Sequence, residues 1–165
     1  MSQRILEGIK VLDLTNVLSG PFTTLHLALL GAEVIKVENP KDGDLARKLG
    51  ILPELNKRLM GTSFIAQNCN KKSITLNTKS AEGKAILLRM AKDADVVVEN
   101  FRPGVMDRLG LGYKVLAEAN PGLVYCSITG FGQSGPYRER AGYDFMIQAM
   151  GGLMSVTGER DDLAG

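Results

Sequence analysis

The chain has little of the chemistry on which many active sites depend. Its 165 residues include no tryptophan, one histidine and two cysteines, and only 5% are aromatic. A single histidine excludes, within this chain, any site that needs two imidazoles, and no Ser-His-Asp or HExxH arrangement can be assembled. Because His26 lies among leucines of a predicted helix, we expect a partly buried structural side chain rather than a general base.

The two cysteines give no sign of a metal or redox site. Cys69 and Cys126 lie far apart in the sequence, with neither CxxC nor Cys/His spacing. Two free, buried thiols are the favoured interpretation, and no metal is predicted.

Charge imbalance and long apolar runs are also absent. Twenty basic residues against 18 acidic ones give a net charge of +2, which creates no field that would recruit nucleic acid or an anionic membrane. The apolar runs are only strand-length, and the segment MSQRILEG lacks the features of a secretory signal. We therefore predict a cytoplasmic protein without membrane or nucleic-acid partners, in which any anion is recognised locally.

The sequence does contain a regular alternation of strand and helix patterns. With 44% hydrophobic residues, the chain can form one globular domain with a sizeable core. Aliphatic strands with few charges, alternating with helices, predict a doubly wound, mostly parallel, Rossmann-like α/β fold. Predicted strands span 11–14, 33–38, 73–76, 94–99 and 123–128, predicted helices span 21–30, 80–92, 105–109, 113–119 and 143–150, and 41–60 and 130–142 are predicted loops.

Four predicted strands end in polar residues mixed with Gly or Pro. These ends fall at 15–20, 38–40, 99–102 and 129–132. Ligands of open parallel sheets bind outside the carboxyl ends of the strands, so the four ends together favour a ligand site. The alternative is that Asn, Gly and Pro merely terminate each strand.

Phosphate-binding motifs are largely missing. The chain has no P-loop, and the first strand end, TNVLSGPFTT, does not match the G-x-G-x-x-G pattern of NAD sites. GFGQSG at 130–135 looks similar but follows the wrong strand. Three lysines flank the third strand: Lys71, Lys72 and Lys79. They could bind an anion at the sheet edge. Alternatively, they could form a solvated charged turn.

Several successive blocks of the sequence resemble one known family. GIKVLDLTNVLSGP, LGAEVIKVENP, NCNKKSITLN, ADVVVENFRPGVMDRLGLGY and NPGLVYCSITGFGQSGPY are similar to signature blocks of the class III coenzyme A transferases. This family includes formyl-CoA and carnitine CoA-transferases and the related α-methylacyl-CoA racemases. The resemblance covers essentially the whole chain and implies that coenzyme A is a substrate, with no metal.

The resemblance also implies which residues contact coenzyme A. Asn100 is expected to bond an amide of the cofactor, and Phe101 to flank its pantetheine arm. Asn39 stands where the family often has an arginine stacked on the adenine, so a cation–π contribution of about 0.5–2 kcal/mol is lost. The implied cofactor-binding set is Val17, Leu18, Ser19, Asn39, Leu76, Lys79, Asn100, Phe101 and Arg108.

The implied reaction uses an aspartate nucleophile, a mixed anhydride and an enzyme-bound CoA thioester. The family places that aspartate downstream of the block matching MGGLMSVTG, so we expect no catalytic residue in this chain and take Asp161 and Asp162 as a solvated turn.

Tyr143 and Asp144 are expected to line the active site. Tyr143 occupies the position of the racemases' catalytic histidine, and a phenol with a pKa of about 10 is a poor proton shuttle, which favours a transferase.

The resemblance further implies partners and a larger assembly. The partners are an acyl-CoA donor and a carboxylic acid acceptor, and family members are intertwined homodimers with a smaller second domain. Residues 1–165 would then be a truncated CoA-binding α/β domain, the N-terminal part of the family's large domain. Two alternatives remain open: a 2-methylacyl-CoA racemase or epimerase, and a non-catalytic CoA-binding fragment.

Overall fold

A computed structural model describes residues 4–159, and within them five parallel strands form a single sheet. The order of the strands is β3-β2-β1-β4-β5, and every neighbouring pair is parallel. The strands are β1 (Lys10–Asp13), β2 (Glu33–Glu38), β3 (Lys72–Thr75), β4 (Val96–Glu99) and β5 (Val124–Ser127). The predicted parallel α/β fold is confirmed.

Helices connect successive strands. They are α1 (Ser19–Leu29), α2 (Pro53–Lys57), α3 (Thr62–Asn68), α4 (Ala81–Lys92), α5 (Val105–Arg108), α6 (Tyr113–Ala119) and α7 (Asp144–Met150), with 3-10 helices at Leu45–Lys48 and Leu153–Val156. The prediction of a loop at 41–60 is wrong in part, because this segment holds a 3-10 helix and α2, and α3 was missed. These helices are short, and most of their residues are exposed or half-buried, so they carry little apolar periodicity.

The sheet has an apolar core on each face. Side chains of a strand alternate between faces, so Val11 and Leu12 enter different cores. One core contains Ala28 of α1 with Val34 and Val98. The other contains Leu87 of α4, Met106 of α5 and Leu116 of α6. Helices therefore cover both faces, which is the doubly wound arrangement.

The strand order reverses between β1 and β4. From β1 the chain moves outward through β2 and β3, then returns to place β4 on the other side of β1 and continues to β5. The connection after β1 leads to α1 on one face, and the connection after β4 leads to α5 on the opposite face. In doubly wound sheets this divergence opens a crevice at the carboxyl edge.

The chain divides after Ile128 into two compact units. The first contains the sheet and α1–α6, and the second contains α7 and the 3-10 helix Leu153–Val156. The single CoA-binding domain and the small second domain stay predictions. Among residues 4–159, no helix is both long and apolar enough to cross a membrane.

Candidate ligand site at the carboxyl edge of the sheet

The parallel sheet brings most of the predicted cofactor-binding residues to one edge of the first unit. The connections that follow β1, β2, β3 and β4 all leave the sheet there. Arg108 lies at the end of α5, and its guanidinium reaches back to the β4 exit, where a Cβ on Gly104 would lie 3.0 Å from Nη1. The residues at this edge are Val17, Leu18, Ser19, Asn39, Leu76, Lys79, Asn100 and Phe101.

Asn16 and Asn100 join the exits of the two central strands. The backbone N–H of Asn16 donates to Oδ1 of Asn100 at 2.8 Å, and Nδ2 of Asn100 donates to the Asn16 carbonyl at 2.8 Å. This reciprocal pair ties the loop after β1 to the loop after β4. Half of the hydrogen-bonding capacity of the Asn100 amide is thus used inside the protein, and its second N–H hydrogen can still donate to a ligand.

Val17 has an unusual backbone conformation. Its φ of 70° lies in the left-handed region, which a β-branched residue rarely adopts and which costs about 1–3 kcal/mol. The Val17 N–H donates to Oδ1 of Asp44 at 2.9 Å. The side chains of Val17 and Leu18 are 40% and 53% exposed, so they present apolar surface at the sheet edge instead of filling the core.

The start of α1 lies against the end of β1. A Cβ on Gly20 would fall 2.2 Å from Cβ of Thr15, so only glycine permits this approach. Thr15 is buried, and its hydroxyl donates to Oδ1 of Asp13 at 2.5 Å. The first turn of a helix carries N–H groups without intrahelical acceptors and a partial positive charge, so α1 adds a favourable potential for an anion at this edge.

Two buried ion pairs lie beneath the β1 exit. Lys36 Nζ pairs with Asp44 at 2.9 Å and donates to the Thr15 carbonyl at 2.7 Å. Lys71 Nζ pairs with Asp13 at 3.0 Å. Burial by itself would raise the pKa of Asp13, but Lys36 and Lys71, aided by two threonine hydroxyls, hold that pKa below its ordinary value.

The prediction for the lysines flanking β3 needs correction. The Lys71 side chain is only 1% exposed and is engaged by Asp13, so it is neither a solvated charge nor available to a ligand. Lys72 is exposed and forms an ion pair with Glu33 at 2.6 Å. Lys79 is exposed in the connection after β3, which leaves it as the lysine of this group that can meet an anion at the carboxyl edge.

Glu38 anchors the connection after β2. Arg47 donates to its two oxygens at 2.6 and 2.7 Å, Ser73 donates at 2.6 Å, and the Asp44 N–H donates at 3.0 Å. Burial opposes the ionised form, but these donors prevail and lower the pKa of Glu38 to about 2. Asn39, the next residue, is exposed, and its Oδ1 accepts from the Lys41 N–H at 2.9 Å.

Glu99 organises the connection after β4. Its buried carboxylate accepts from the Phe101 N–H at 2.8 Å, from the Tyr125 hydroxyl at 3.4 Å and from the Ser127 hydroxyl. Burial and this carboxylate together raise the pKa of Tyr125. The Phe101 ring is half-buried and packs against the core beneath α4–α6, so one part of it stabilises the fold and the rest is open at the edge.

The predicted site omits the buried charges that shape this edge. Lys36, Asp44 and Glu99 were not singled out, because charged residues in short strands and turns are ordinarily solvated. One signal was present: Lys36 and Glu38 interrupt the apolar side of the EVIKVE strand, where they fall on the same face as Val34.

The second unit contains the predicted active-site lining. Tyr143 is exposed directly before α7 and stacks on Phe145 with ring centroids 6.2 Å apart. Asp144, in the first turn of α7, accepts from Nε2 of Gln148 at 2.7 Å. The fourth strand end, 129–132, belongs to this unit, whereas Asp161 and Asp162 lie outside the described residues. The roles of Tyr143 and Asp144 stay predictions.

Two predictions about isolated residues are wrong. His26 is exposed on α1 and packs edge-on against Phe22 at 4.5 Å, because it faces away from the sheet. Both cysteines are free, but Cys69 is exposed and Cys126 is half-buried. Residues 4–159 contain no cluster of three or more His, Cys, Asp or Glu that could hold a metal ion.

Comparison with known proteins gives consistent matches over nearly the whole chain. The sequence profile of CoA-transferase family III matches residues 6–164. A succinyl-CoA:glutarate CoA-transferase of Mus musculus is 49% identical over 97% of this chain and 36% of its own length. A formyl-CoA:oxalate CoA-transferase of Streptomyces coelicolor is 50% identical over 98% of this chain and 38% of its own. The chain therefore spans little more than a third of the length of these curated relatives.

Solved structures give the same result for the fold. A CAIB/BAIF family protein from Brucella suis superposes with a TM-score of 0.87 and 46% identity, over 97% of this chain and 42% of that protein. A hypothetical protein from Mycobacterium tuberculosis superposes with a TM-score of 0.84 and 39% identity, over 96% of this chain and 43% of that protein.

Proposed function

Because this chain belongs to CoA-transferase family III, we propose that it forms the CoA-binding part of an enzyme that moves coenzyme A between carboxylic acids. The observation that carries the proposal is the shared sheet edge. Four connections that are far apart in the sequence leave one edge of the first unit, and they combine exposed apolar side chains with exposed cations, which include Lys79 and Arg108. A long ligand with an apolar arm and several phosphates needs both kinds of surface.

The chemistry of coenzyme A suggests how its parts pair with these residues. Val17 and Leu18 offer apolar surface to the adenine end, and the exposed cations Lys79 and Arg108 meet the phosphates. The open part of the Phe101 ring flanks the pantetheine arm. The remaining N–H hydrogen of Asn100 can donate to one of its amide carbonyls.

The proposed reaction proceeds through covalent intermediates. An aspartate carboxylate attacks the acyl-CoA thioester and the C–S bond breaks. The CoA thiolate is released, and a mixed anhydride of the acyl group and the aspartate forms on the enzyme. The thiolate then attacks the aspartyl carbonyl of this anhydride, which releases the donor acid and forms an enzyme thioester. The acceptor carboxylate attacks the enzyme thioester and expels the thiolate, which leaves a second anhydride between the acceptor and the aspartate. The thiolate attacks the acceptor carbonyl of this anhydride, so that the acceptor acyl-CoA forms and the aspartate carboxylate is regenerated. We propose that the nucleophile lies outside residues 4–159, and that the protein works as a homodimer.

Calorimetry and an acyl-transfer assay test the proposal. The full-length protein, including any sequence beyond residue 165, is titrated with free coenzyme A and then incubated with succinyl-CoA or formyl-CoA and with glutarate or oxalate. We expect binding heat and a new acyl-CoA by chromatography. Absence of binding heat overturns CoA binding. Exchange of the α-proton of a chiral 2-methylacyl-CoA in deuterated water, without acyl transfer, would assign the protein to the racemases instead.

A further inference from the structure

The loop 16–18 after β1 is fixed from two sides by side chains of other elements. Asn100, after β4, bonds both the N–H and the carbonyl of Asn16. Asp44, after β2, accepts from the N–H of Val17. Two successive residues of this loop therefore depend on groups that are at least 27 positions away in the sequence.

Asp44 is built into the protein as a fixed acceptor. The residue is fully buried, and its Oδ1 accepts from the N–H groups of Val17 and Ala46, each at 2.9 Å. Its Oδ2 pairs with Lys36, which is equally buried. Its own N–H donates to Glu38 at 3.0 Å. The carboxylate is thus oriented before any ligand arrives.

The conformation of Val17 does not serve the packing of the core. A left-handed backbone is unfavourable for valine and persists only where the surroundings impose it. The side chains that this turn directs, Val17 and Leu18, are exposed at the sheet edge. A ligand that packs against Val17 and Leu18 would account for a strained turn that exposes these apolar side chains to solvent.

We propose that Asp44 is a positioning residue for coenzyme A: by accepting from the Val17 N–H, it holds Val17 and Leu18 in the conformation that receives the ligand. This inference rests on the proposed function, since it takes coenzyme A as the ligand of this edge. Asp44 itself does not need to touch the cofactor. Its effect passes through the backbone of Val17.

A matched pair of variants separates the hydrogen bond from the buried ion pair. Lys36→Met combined with Asp44→Asn removes both charges but keeps an oxygen acceptor for Val17. Lys36→Met combined with Asp44→Leu removes the same charges, with a side chain of similar size and no acceptor. Replacing a buried ion pair by apolar groups is often tolerated, so the leucine variant is expected to fold. The asparagine variant is expected to fold because its amide oxygen keeps the acceptor for Val17 and Ala46.

Titration calorimetry with free coenzyme A on the full-length proteins provides the readout. The asparagine variant should bind within about threefold of the unaltered protein. The leucine variant should bind about tenfold more weakly, because the N–H groups of Val17 and Ala46 both lose their acceptor and the loop is no longer held. Equal affinities of two folded variants would overturn the positioning role and leave the proposed function intact. An unaltered protein that does not bind coenzyme A would instead refute the proposed function.

Hydrogen exchange decides the question if the leucine variant does not fold. In the unaltered protein without coenzyme A, exchange of the Val17 amide should already be slow, because its acceptor is in place. Adding coenzyme A should change this protection by less than about threefold. An amide that exchanges freely until coenzyme A is added would show that Asp44 does not hold the loop, and would overturn the inference.

Discussion

At the scale of single residues, this sheet edge combines buried charges with exposed cations. The buried charges, such as Lys36 and Lys71, are paired with carboxylates and fix the backbone. The exposed cations, Lys79 and Arg108, form no ion pair among the described residues and are available to an anion. The two groups predict different consequences of substitution: loss of stability for the first and loss of affinity for the second.

Arg108→Gln should weaken the binding of coenzyme A without lowering the thermal midpoint. An exposed charge contributes at most about 1 kcal/mol, so we expect a loss of up to fivefold at low salt, which shrinks as salt is raised. Calorimetry at two ionic strengths measures this. Arg89→Gln, which changes an exposed arginine at the end of α4, is the matched control and should bind normally. Equal losses in both variants would mean that Arg108 has no specific role.

Lys71→Met should destabilise the fold, whereas Lys72→Met should not. The first change leaves the buried Asp13 carboxylate without its 3.0 Å partner, at a cost of about 3 kcal/mol. The second removes an exposed ion pair that contributes less than about 1 kcal/mol. Urea unfolding compares the two neighbours. A Lys71 variant as stable as the Lys72 variant would contradict the assignment of a buried pair.

At the scale of elements, the connections after the strands are anchored by the sheet and not by their own secondary structure. Glu38, at the end of β2, holds the 3-10 helix through Arg47, and the guanidinium of Arg47 also stacks over Phe64 of α3 at 3.8 Å. Gly20 allows α1 to begin directly against Thr15. Substitutions at these contacts should loosen the packing of the 3-10 helix Leu45–Lys48 and of α1 against the ends of β2 and β1.

Acid should weaken the attachment of the 3-10 helix Leu45–Lys48 to the end of β2. The pKa of Glu38 is lowered from 4.5 to about 2 in the folded protein, so its stabilising contribution is complete above pH 4.5 and is lost as the pH falls towards 2. Glu38→Gln should therefore cost up to about 3 kcal/mol at pH 7 and make stability less dependent on pH between 5 and 2. Urea unfolding at several pH values measures this, with the exposed Glu54→Gln as control.

One result of the urea unfolding series would contradict this role of Glu38. If the stability of the Glu38 variant falls with pH in parallel with that of the unaltered protein, the carboxylate is not the group whose protonation loosens this connection.

Gly20→Ala should disturb the start of α1. The new Cβ would lie 2.2 Å from Cβ of Thr15, so the helix or the β1 exit must shift, at a cost of about 1–3 kcal/mol. Gly122→Ala is the control, because its Cβ would meet only Oδ1 of Asn120 at an ordinary 3.6 Å. Thermal unfolding should show a lower midpoint for the Gly20 variant alone, and similar midpoints for both would contradict the close approach.

At the scale of the whole molecule, the chain exposes many large apolar side chains to solvent. Large apolar side chains are exposed along the segment around α2, where Ile51 is 88% and Leu52 is 49% exposed. Further exposed apolar residues lie on α1, such as Phe22 and Leu29. Such surface usually marks a contact with another chain or segment.

Residues 1–165 expressed alone should therefore associate with one another at high concentration. Ile51→Lys should reduce this association, whereas Ile5→Lys, which changes an equally exposed isoleucine outside the segment, should not. Sedimentation velocity over a hundredfold range of concentration measures the effect. A monomer at every concentration, or an equal effect of both substitutions, would show that the segment around α2 does not drive association.

The sequence by itself determined the parallel α/β fold, the strand ends that share one edge, and the family. Alternating strand and helix patterns and the signature blocks are local in the chain, so they can be recognised without coordinates. Only the tertiary structure decided which charges are solvated. Asp44 meets Val17, Lys71 meets Asp13 and Asn100 meets Asn16 across separations of 27, 58 and 84 residues, and no local pattern encodes such pairings because they arise when the strands assemble.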